Sequence, residues 1–261
     1  MNPIISIPNV QLGESLGEGA AATVFAGTLA DTGRAVAVKV VPARRGDAAG
    51  LAKRALQEGR LCWSLDHPNI VRVFGSGQTA DGHVWILMER LTGETLYARL
   101  ARRGTLSPAE VLAVARDVAR GLCSIHARGV VHRDVKPDNV FLCAGPPEQT
   151  KLLDLGIASL AANDPTRLVH TQAGLVFGTP GYMAPEQARG ESIDARTDVY
   201  GLAATMYHCL TGQVRYADGT VVDVLRRLVT GTEPPPAVTG VPSALADLVR
   251  RCLHPEPARR P

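Results

Sequence analysis

The residues best suited to chemistry lie in segment 132–139, which reads His-Arg-Asp-Val-Lys-Pro-Asp-Asn. Asp134 can accept the proton of a hydroxyl group, Lys136 can face a phosphate, and Asn139 can offer its amide oxygen to Mg²⁺. A phosphoryl transfer needs little more from a protein than a held hydroxyl and neutralised phosphate oxygens. The segment therefore predicts phosphoryl transfer to a hydroxyl group, with a charged surface loop as the alternative.

A glycine-rich segment near the start of the chain is suited to holding phosphates. Residues 16–24 read Leu-Gly-Glu-Gly-Ala-Ala-Ala-Thr-Val and lie between two predicted strands. Gly17 and Gly19 have no Cβ, so their backbone N–H groups can approach a phosphate closely. Glycine pairs also mark ordinary turns, so this segment is informative only together with the other motifs.

A single lysine interrupts the apolar run of residues 36–41, which otherwise predicts a buried strand. A charge in such a run is costly unless it is paired. Glu58, on the predicted helix 51–65, is a candidate partner of Lys39, and a solvated helix face is the alternative for that glutamate.

Two more motifs follow the 132–139 segment further along the chain. Asp154 ends a predicted strand and is the expected second metal ligand. Residues 178–186 read Gly-Thr-Pro-Gly-Tyr-Met-Ala-Pro-Glu and end in the Ala-Pro-Glu signature. Matches at fixed positions in a fixed order leave little room for coincidence.

With these motifs the chain resembles the Hanks-type serine/threonine protein kinases, in particular their bacterial branch, over nearly its whole length. The resemblance implies an α+β, bilobal fold. Residues 1–91 would form a small β-rich lobe over ATP, with the hinge at 89–91. Residues 92–261 would form a larger, mainly helical lobe that binds the protein substrate. The last helix of the family is not reached, which indicates a truncated domain.

The resemblance also implies roles for single residues and cofactors. The catalytic residues would be Asp134, Lys136, Lys39 and Glu58, and the metal ligands would be Asn139 and Asp154. The ATP-binding residues would be Leu16, Gly17, Gly19, Val24, Ala37, Lys39, the gatekeeper Met88, the hinge residues Glu89 and Leu91, and Phe141. The cofactors would be ATP and Mg²⁺, with Mn²⁺ as an alternative. For the apolar residues, ordinary core packing is an equally good interpretation.

Local signals predict how the helical lobe supports the catalytic segment. Residues 107–110 read Ser-Pro-Ala-Glu, a capping box with proline at the first helical position, and apolar residues follow at helical spacing. Residues 192–210 predict a buried helix, in which Asp198 matches the family aspartate that anchors the catalytic loop. Arg260 resembles the partner that the family provides for Glu186.

Regulation and acceptor type are expected from the same resemblance. A phosphate on the activation segment, the stretch between Asp154 and Glu186, could neutralise the charge of Arg133. We therefore expect autophosphorylation at Thr166 or Thr171, in trans through self-association. Thr179 would line the substrate site. Lys136 and the Gly-Thr pair at 178–179 match the serine/threonine pattern, which predicts protein substrates with Ser or Thr acceptors.

Composition excludes several other classes of protein. The net charge of +3 over 261 residues is too small to indicate a nucleic-acid partner. The five cysteines are odd in number and have no Cys-x-x-Cys spacing, which argues against a disulfide framework or a zinc site and favours the cytoplasm. No apolar run reaches the roughly 20 residues of a membrane span, so no membrane contact is expected, although an anchor beyond Pro261 stays open.

Two other functions compete with an active protein kinase. A catalytically silent pseudokinase that serves as a nucleotide-binding scaffold is the main alternative, because the chain departs from the family pattern at Ala22, Leu155 and Gly201. A small-molecule kinase shares the Asp and Asn of the catalytic segment but lacks an Ala-Pro-Glu segment. The chain has that segment, which favours a protein kinase.

Overall fold

A computed structural model of the protein describes residues 7–19, 22–42, 65–146, 148–154, 180–218, 220–231 and 234–261. The chain divides into two compact units, Met1–Thr92 and Gly93–Pro261. The first is built on a β-sheet and the second is mainly helical. The predicted α+β, bilobal fold class is therefore confirmed.

The described part of the first unit contains an antiparallel five-stranded sheet with the order β1-β2-β3-β5-β4. Valine is frequent in its central strands, where β-branched side chains pack well on a pleated surface. The strands are β1 Val10–Glu18, β2 Thr23–Leu29, β3 Ala35–Val41, β4 Val73–Gln78 and β5 Val84–Glu89.

The two faces of this sheet carry different residues, because successive side chains of a strand point to opposite sides. One face holds an apolar cluster whose buried members are Ile7, Val36, Val38 and Val40. In the strand register Val24 lies opposite Lys39, and Ala37 lies opposite Met88. These four residues, all expected to bind ATP, therefore share the other face of the sheet.

The second unit combines helices with a small antiparallel sheet of order β6-β7-β8. The strands are β6 Gly93–Thr95, β7 Val140–Cys143 and β8 Gln149–Leu152. The helices are α1 Leu96–Arg103, α2 Pro108–His126, α3 Pro185–Ala188, α4 Ala195–Thr211, α5 Val221–Thr230 and α6 Ser243–Cys252. Within the residues described, none of the helices has the length and apolar character that crossing a bilayer requires.

Helix α2 begins at the predicted capping box. The Ser107 side chain accepts a hydrogen bond from the Glu110 backbone N–H, and the Glu110 carboxylate accepts one from the Ser107 N–H at 2.8 Å. Hydrogen bonds from Arg103 and Ser107 lower the pKa of Glu110 to about 2. The apolar face of the helix is buried against α4 and β8, so α2 is a rigid element that leads into the 132–139 segment.

Helix α4 begins later than the sequence predicted. It starts at Ala195 and not at residue 192, because the Asp194 carboxylate caps it by accepting a hydrogen bond from the Arg196 N–H at 2.8 Å. It ends at Thr211 and is capped by Gly212, whose φ of 71° lies in the left-handed region that glycine adopts without strain. Asp198 is buried in its first turn.

Candidate active site

Three side chains of the 132–139 segment form one hydrogen-bonded set. The Asn139 Nδ2 group donates to the Asp134 backbone oxygen and to Asp134 Oδ2, both at 2.8 Å. The Lys136 ammonium lies 2.9 Å from the same Asp134 Oδ2. The Asp134 side chain is 38% exposed, so it remains accessible to a substrate.

The 132–139 segment is anchored by Asp198 of α4. Its carboxylate accepts hydrogen bonds from the backbone N–H groups of His132 at 2.8 Å and Arg133 at 2.7 Å. The His126 imidazole donates to the same carboxylate at 2.7 Å. Arg133 has a φ of 70°, a conformation that costs energy for a residue with a side chain. The hydrogen bonds to Asp198 hold this strained turn in place.

His132 ties the segment to the strand that carries Asp154. Its imidazole Nε2–H donates to the Leu153 carbonyl oxygen at 2.9 Å, and its Nδ1 accepts from the Asp134 N–H at 3.3 Å. The Leu153 N–H in turn donates to the Asn139 carbonyl oxygen at 2.8 Å. Asp154, with a φ of 48°, therefore follows directly after a residue that is hydrogen-bonded to Asn139.

Two residues to which the sequence analysis gave no supporting role also contact the segment. Gln187 of α3 donates from Nε2 to the Arg133 carbonyl oxygen at 2.8 Å. Gly201 of α4 faces Val135, and a Cβ on this glycine would lie 3.1 Å from the Val135 carbonyl oxygen. The departure from the family pattern at Gly201 is thus compatible with close packing, because the glycine itself provides the room.

The expected pair between Glu186 and Arg260 is confirmed. Two guanidinium nitrogens of Arg260 donate to the two carboxylate oxygens of Glu186 at 2.6 and 2.8 Å, and Thr197 donates to Glu186 Oε1 at 2.9 Å. Burial by itself raises the pKa of Glu186, but hydrogen bonds from Arg260 and its charge outweigh this, so the pKa lies below its ordinary value. The pair ties the end of the Ala-Pro-Glu segment to the C-terminal part of the unit.

The candidate ATP-binding residues of the first unit lie on and near β1, β2, β3 and β5. Leu16 and Gly17 belong to β1, and the Gly19 N–H donates to the Ala22 carbonyl oxygen at 2.8 Å at the end of the β1–β2 hairpin. The glycine-rich segment 16–24 thus includes the end of β1 and the start of β2.

The predicted hinge begins at the end of β5. The Glu89 N–H donates to the Arg72 carbonyl oxygen at 2.9 Å, and the Arg72 N–H donates to Glu89 Oε1 at 2.8 Å. Leu91 follows β5 and is half-buried. Phe141 lies in the second unit, on β7, and is also half-buried.

Several residues named in the sequence analysis lie outside the described residues. They are Glu58, Leu155, Thr166, Thr171 and Thr179. The pairing of Lys39 with Glu58 and the modification of the threonines therefore stay predictions.

Residues 10–261 match the family described as "Protein kinase domain". The chain is 36% identical to serine/threonine-protein kinase pkn2 of Myxococcus xanthus, over 94% of this chain and 30% of that protein. It is 38% identical to PkaB of Streptomyces coelicolor, over 94% of this chain and 58% of PkaB. It is 34% identical to PknB of Mycobacterium tuberculosis, over 96% of this chain and 40% of PknB.

The chain spans between 30% and 58% of the length of these three relatives. All three are named as serine/threonine kinases, which fits the predicted kinase and not the alternative of a silent scaffold. Protein kinases in general use ATP and a divalent metal ion and act on protein substrates. The chain belongs to the protein kinase family, as a domain of the Hanks-type serine/threonine branch.

Proposed function

We propose that this domain transfers the γ-phosphoryl group of ATP to serine and threonine hydroxyls of proteins. The hydrogen-bonded set of Asp134, Lys136 and Asn139 carries the proposal, because it joins a base, a cation and a metal-ligand amide at one accessible point. The names of the relatives support the choice of acceptor, and so does the serine/threonine pattern at Lys136.

Asp134 is the proposed base for the acceptor hydroxyl. Its Oδ2 already accepts from Asn139 and faces Lys136, so Oδ1 is the oxygen that would take the hydroxyl proton. Lys136 would face the transferred phosphoryl group, where its charge compensates the charge that develops on the equatorial oxygens. Positioning and electrostatics, and not covalent chemistry, would supply most of the acceleration.

Asn139 and Asp154 are the proposed metal ligands. Asn139 Nδ2 donates both of its hydrogen bonds to Asp134. The amide oxygen Oδ1 of Asn139 is therefore the atom that would bind a cation. An amide oxygen and a carboxylate suit a hard cation such as Mg²⁺, which usually binds through one or two protein ligands and the substrate phosphates. Mn²⁺ accepts the same oxygen ligands. A bound metal ion would neutralise charge on the phosphate oxygens.

The proposed nucleotide contacts in the first unit follow from its sheet. Val24, Ala37 and Met88 are apolar and share the face that carries Lys39, so an adenine ring and the phosphates could be held along one surface. Gly17 and Gly19 would approach the phosphates, and Leu16 would cover the base. The backbone of Glu89 and Leu91 would bind adenine. Phe141 of the second unit keeps its predicted role as an apolar contact for the base, and Glu58 keeps its role as partner of Lys39.

Phosphorylation of the activation segment is the proposed mode of regulation. One terminal nitrogen of Arg133, Nη1, is buried and has no hydrogen-bond partner within the described residues. Leaving such a donor unpaired is costly, so a phosphate on Thr166 or Thr171 would be attracted to it. Transfer between two copies of the domain is the proposed route, and no nucleic-acid partner is proposed.

Phosphate transfer from labelled Mg·ATP, to the protein itself and to a generic basic protein, tests this function. Asp134→Asn should reduce transfer by about 10²- to 10⁴-fold, as expected for a lost general base, and Lys39→Met should abolish most of it. Asp247→Asn serves as a matched control, since this exposed residue of α6 pairs only with Arg250 among the described residues.

The outcomes separate the kinase from its main rival. Transfer that both variants abolish and the control preserves supports the proposal, and peptide mapping then tests Thr166 and Thr171. Binding of Mg·ATP without any transfer by the wild type would support the scaffold function. Labelling only outside the activation segment, between Asp154 and Glu186, would contradict the proposed regulation.

A further inference from the structure

Arginine and tyrosine side chains alternate in a stack that crosses the second unit. The guanidinium of each arginine lies against a neighbouring tyrosine ring, and we call this set the Arg-Tyr stack. Its members, in spatial order, are Arg260, Tyr200, Arg215, Tyr216 and Arg227. The first arginine is bonded to Glu186 and the last is paired with Asp218 at 3.0 Å, so a carboxylate stands at each end.

The distances within the stack are those of favourable cation–π contacts. The Arg260 Cζ lies 4.9 Å from the ring centroid of Tyr200, and the Arg215 Cζ lies 5.7 Å from it. On the other side, Tyr216 has the Arg215 Cζ at 4.6 Å and the Arg227 Cζ at 4.7 Å from its ring centroid. Each ring is thus held between two cations.

Arg215 is the member of the stack whose buried charge is compensated mainly by the tyrosines. The residue is 6% exposed, and no Asp or Glu in the described part of the chain forms an ion pair with it. Its Nη1 donates to the Tyr200 hydroxyl at 2.5 Å. A buried charge is costly unless other groups compensate it, so the two rings and this hydroxyl take the place of a counter-ion.

Tyr216 shows that the stack imposes a conformation on the backbone. Its φ of 61° lies in the left-handed region, where an aromatic residue is strained. Such strain persists only where the surroundings enforce it. The ring of Tyr216 is enclosed by Arg215 and Arg227, which accounts for the strained turn.

The same turn packs against the segment beside the catalytic loop. A Cβ on Gly181 would lie 2.7 Å from the Arg215 carbonyl oxygen, so the two backbones are in close contact. Gly181 belongs to the turn Pro180–Tyr182, which continues into α3. From α3, Gln187 donates to the Arg133 carbonyl oxygen. A displacement at Arg215 would therefore move the chain that borders the proposed base.

We propose that Arg215 is a positioning residue for the protein acceptor. By filling the middle of the Arg-Tyr stack, it holds the 213–216 turn against Gly181 and thereby sets the 180–184 segment beside the catalytic loop. The proposal rests on the kinase function, because it concerns the surface on which the acceptor lies. It assigns Arg215 no part in nucleotide binding.

Three variants test the proposal. Arg215→Met removes the cation and keeps a long apolar side chain, while Arg215→Lys keeps the charge without the planar guanidinium that stacks on rings. Tyr216→Leu removes one ring and serves if Arg215→Met does not fold. Arg226→Met is the matched control, because this arginine lies on α5, is 74% exposed and pairs only with Asp223 among the described residues.

Steady-state kinetics should separate acceptor binding from nucleotide binding. For Arg215→Met we expect the KM for a generic basic protein to rise about tenfold, equivalent to about 1.4 kcal/mol. The KM for ATP should stay within about twofold, and Arg215→Lys should restore little of the loss. Equal changes in both KM values, or full recovery in the lysine variant, would overturn the proposal.

Backbone hydrogen exchange gives a readout that needs no kinase activity. The Met183 N–H, which donates to the Pro180 carbonyl oxygen at 3.1 Å, should exchange about tenfold faster in Arg215→Met. The N–H groups of His132 and Arg133, bonded to Asp198, should be unaffected. A uniform increase at all three sites would indicate general destabilisation and contradict a positioning role. If Arg215→Met shows this local exchange difference but the wild-type protein transfers no phosphate, the kinase function would be overturned. The link from Arg215 to the 180–184 segment would still stand.

Discussion

Asp198→Asn removes the charge that anchors the 132–139 segment, while it preserves the size of the side chain. The carboxylate accepts from Arg133 through Oδ1, and from His132 and His126 through Oδ2. An amide has only one oxygen, so either the Arg133 donor or the His132 and His126 donors must face the NH₂ group of the new asparagine. The smallest possible loss is the hydrogen bond from the Arg133 N–H, which would then be buried opposite another donor.

The magnitude follows from these contacts. A hydrogen bond to a charged group contributes about 1.5–3 kcal/mol, and an unsatisfied buried donor costs about 1–3 kcal/mol. The hydrogen bonds that remain become neutral and weaker. We therefore expect Asp198→Asn to lower the free energy of unfolding by about 4 kcal/mol, and the melting temperature by about 10 °C for a domain of this size. Transfer activity should fall as well, because the strained turn at Arg133 loses its anchor.

Urea unfolding and hydrogen exchange at the N–H groups of His132 and Arg133 measure the effect. Asp194→Asn is the control on the same helix: its side chain is 50% exposed, and Asn caps a helix as well as Asp does, so its cost should stay below about 1 kcal/mol. A loss below about 1 kcal/mol for Asp198→Asn, with unchanged exchange at both amides, would refute the anchoring role.

Two other substitutions test the packing around the site. Gly201→Ala should destabilise the folded protein by about 1–3 kcal/mol and reduce phosphate transfer, because the new methyl group would lie 3.1 Å from the Val135 carbonyl oxygen. Thermal unfolding and transfer kinetics measure both effects. A more stable and fully active variant would contradict this reasoning. Glu186→Gln leaves Arg260 buried without its carboxylate, so at pH 7 the variant should unfold about 3–5 kcal/mol more easily than the wild type. The folded pKa of Glu186 lies below its unfolded value of about 4.5, so the ion pair stabilises fully above that pH and its contribution is lost as the pH falls through the folded pKa. The difference between the two proteins in urea unfolding should therefore shrink below about pH 4.5, and a constant difference would contradict the assignment.

The amino-acid sequence was sufficient wherever the relevant groups are close along the chain. Asp134, Lys136 and Asn139 lie within one short segment, so connectivity alone brings them together. Helix α2 was predictable for a similar reason: its capping box and its apolar spacing are both local patterns. The class of chemistry and the family follow from such segments and from their order.

Partners that are distant along the chain were predictable only through the family resemblance. Asp198 is 66 positions away from His132, and Arg260 is 74 positions away from Glu186. No spacing within the sequence indicates either contact. The start of α4 was predicted wrongly, at residue 192, whereas the helix is capped by Asp194 and begins at Ala195.

The sequence by itself determined which groups could carry out the reaction, since these groups occur in short motifs whose residue types are chemically specific. Only the tertiary structure decided what holds them. Gln187 and Gly201 carry no local signal of a supporting role, because α3 is short and α4 is buried on most sides and shows no single apolar stripe. Arg215 lies on the turn after α4, where no periodic pattern applies. Their roles arise from side chains and backbone groups that meet in space after folding, and such contacts leave no periodic pattern in the sequence.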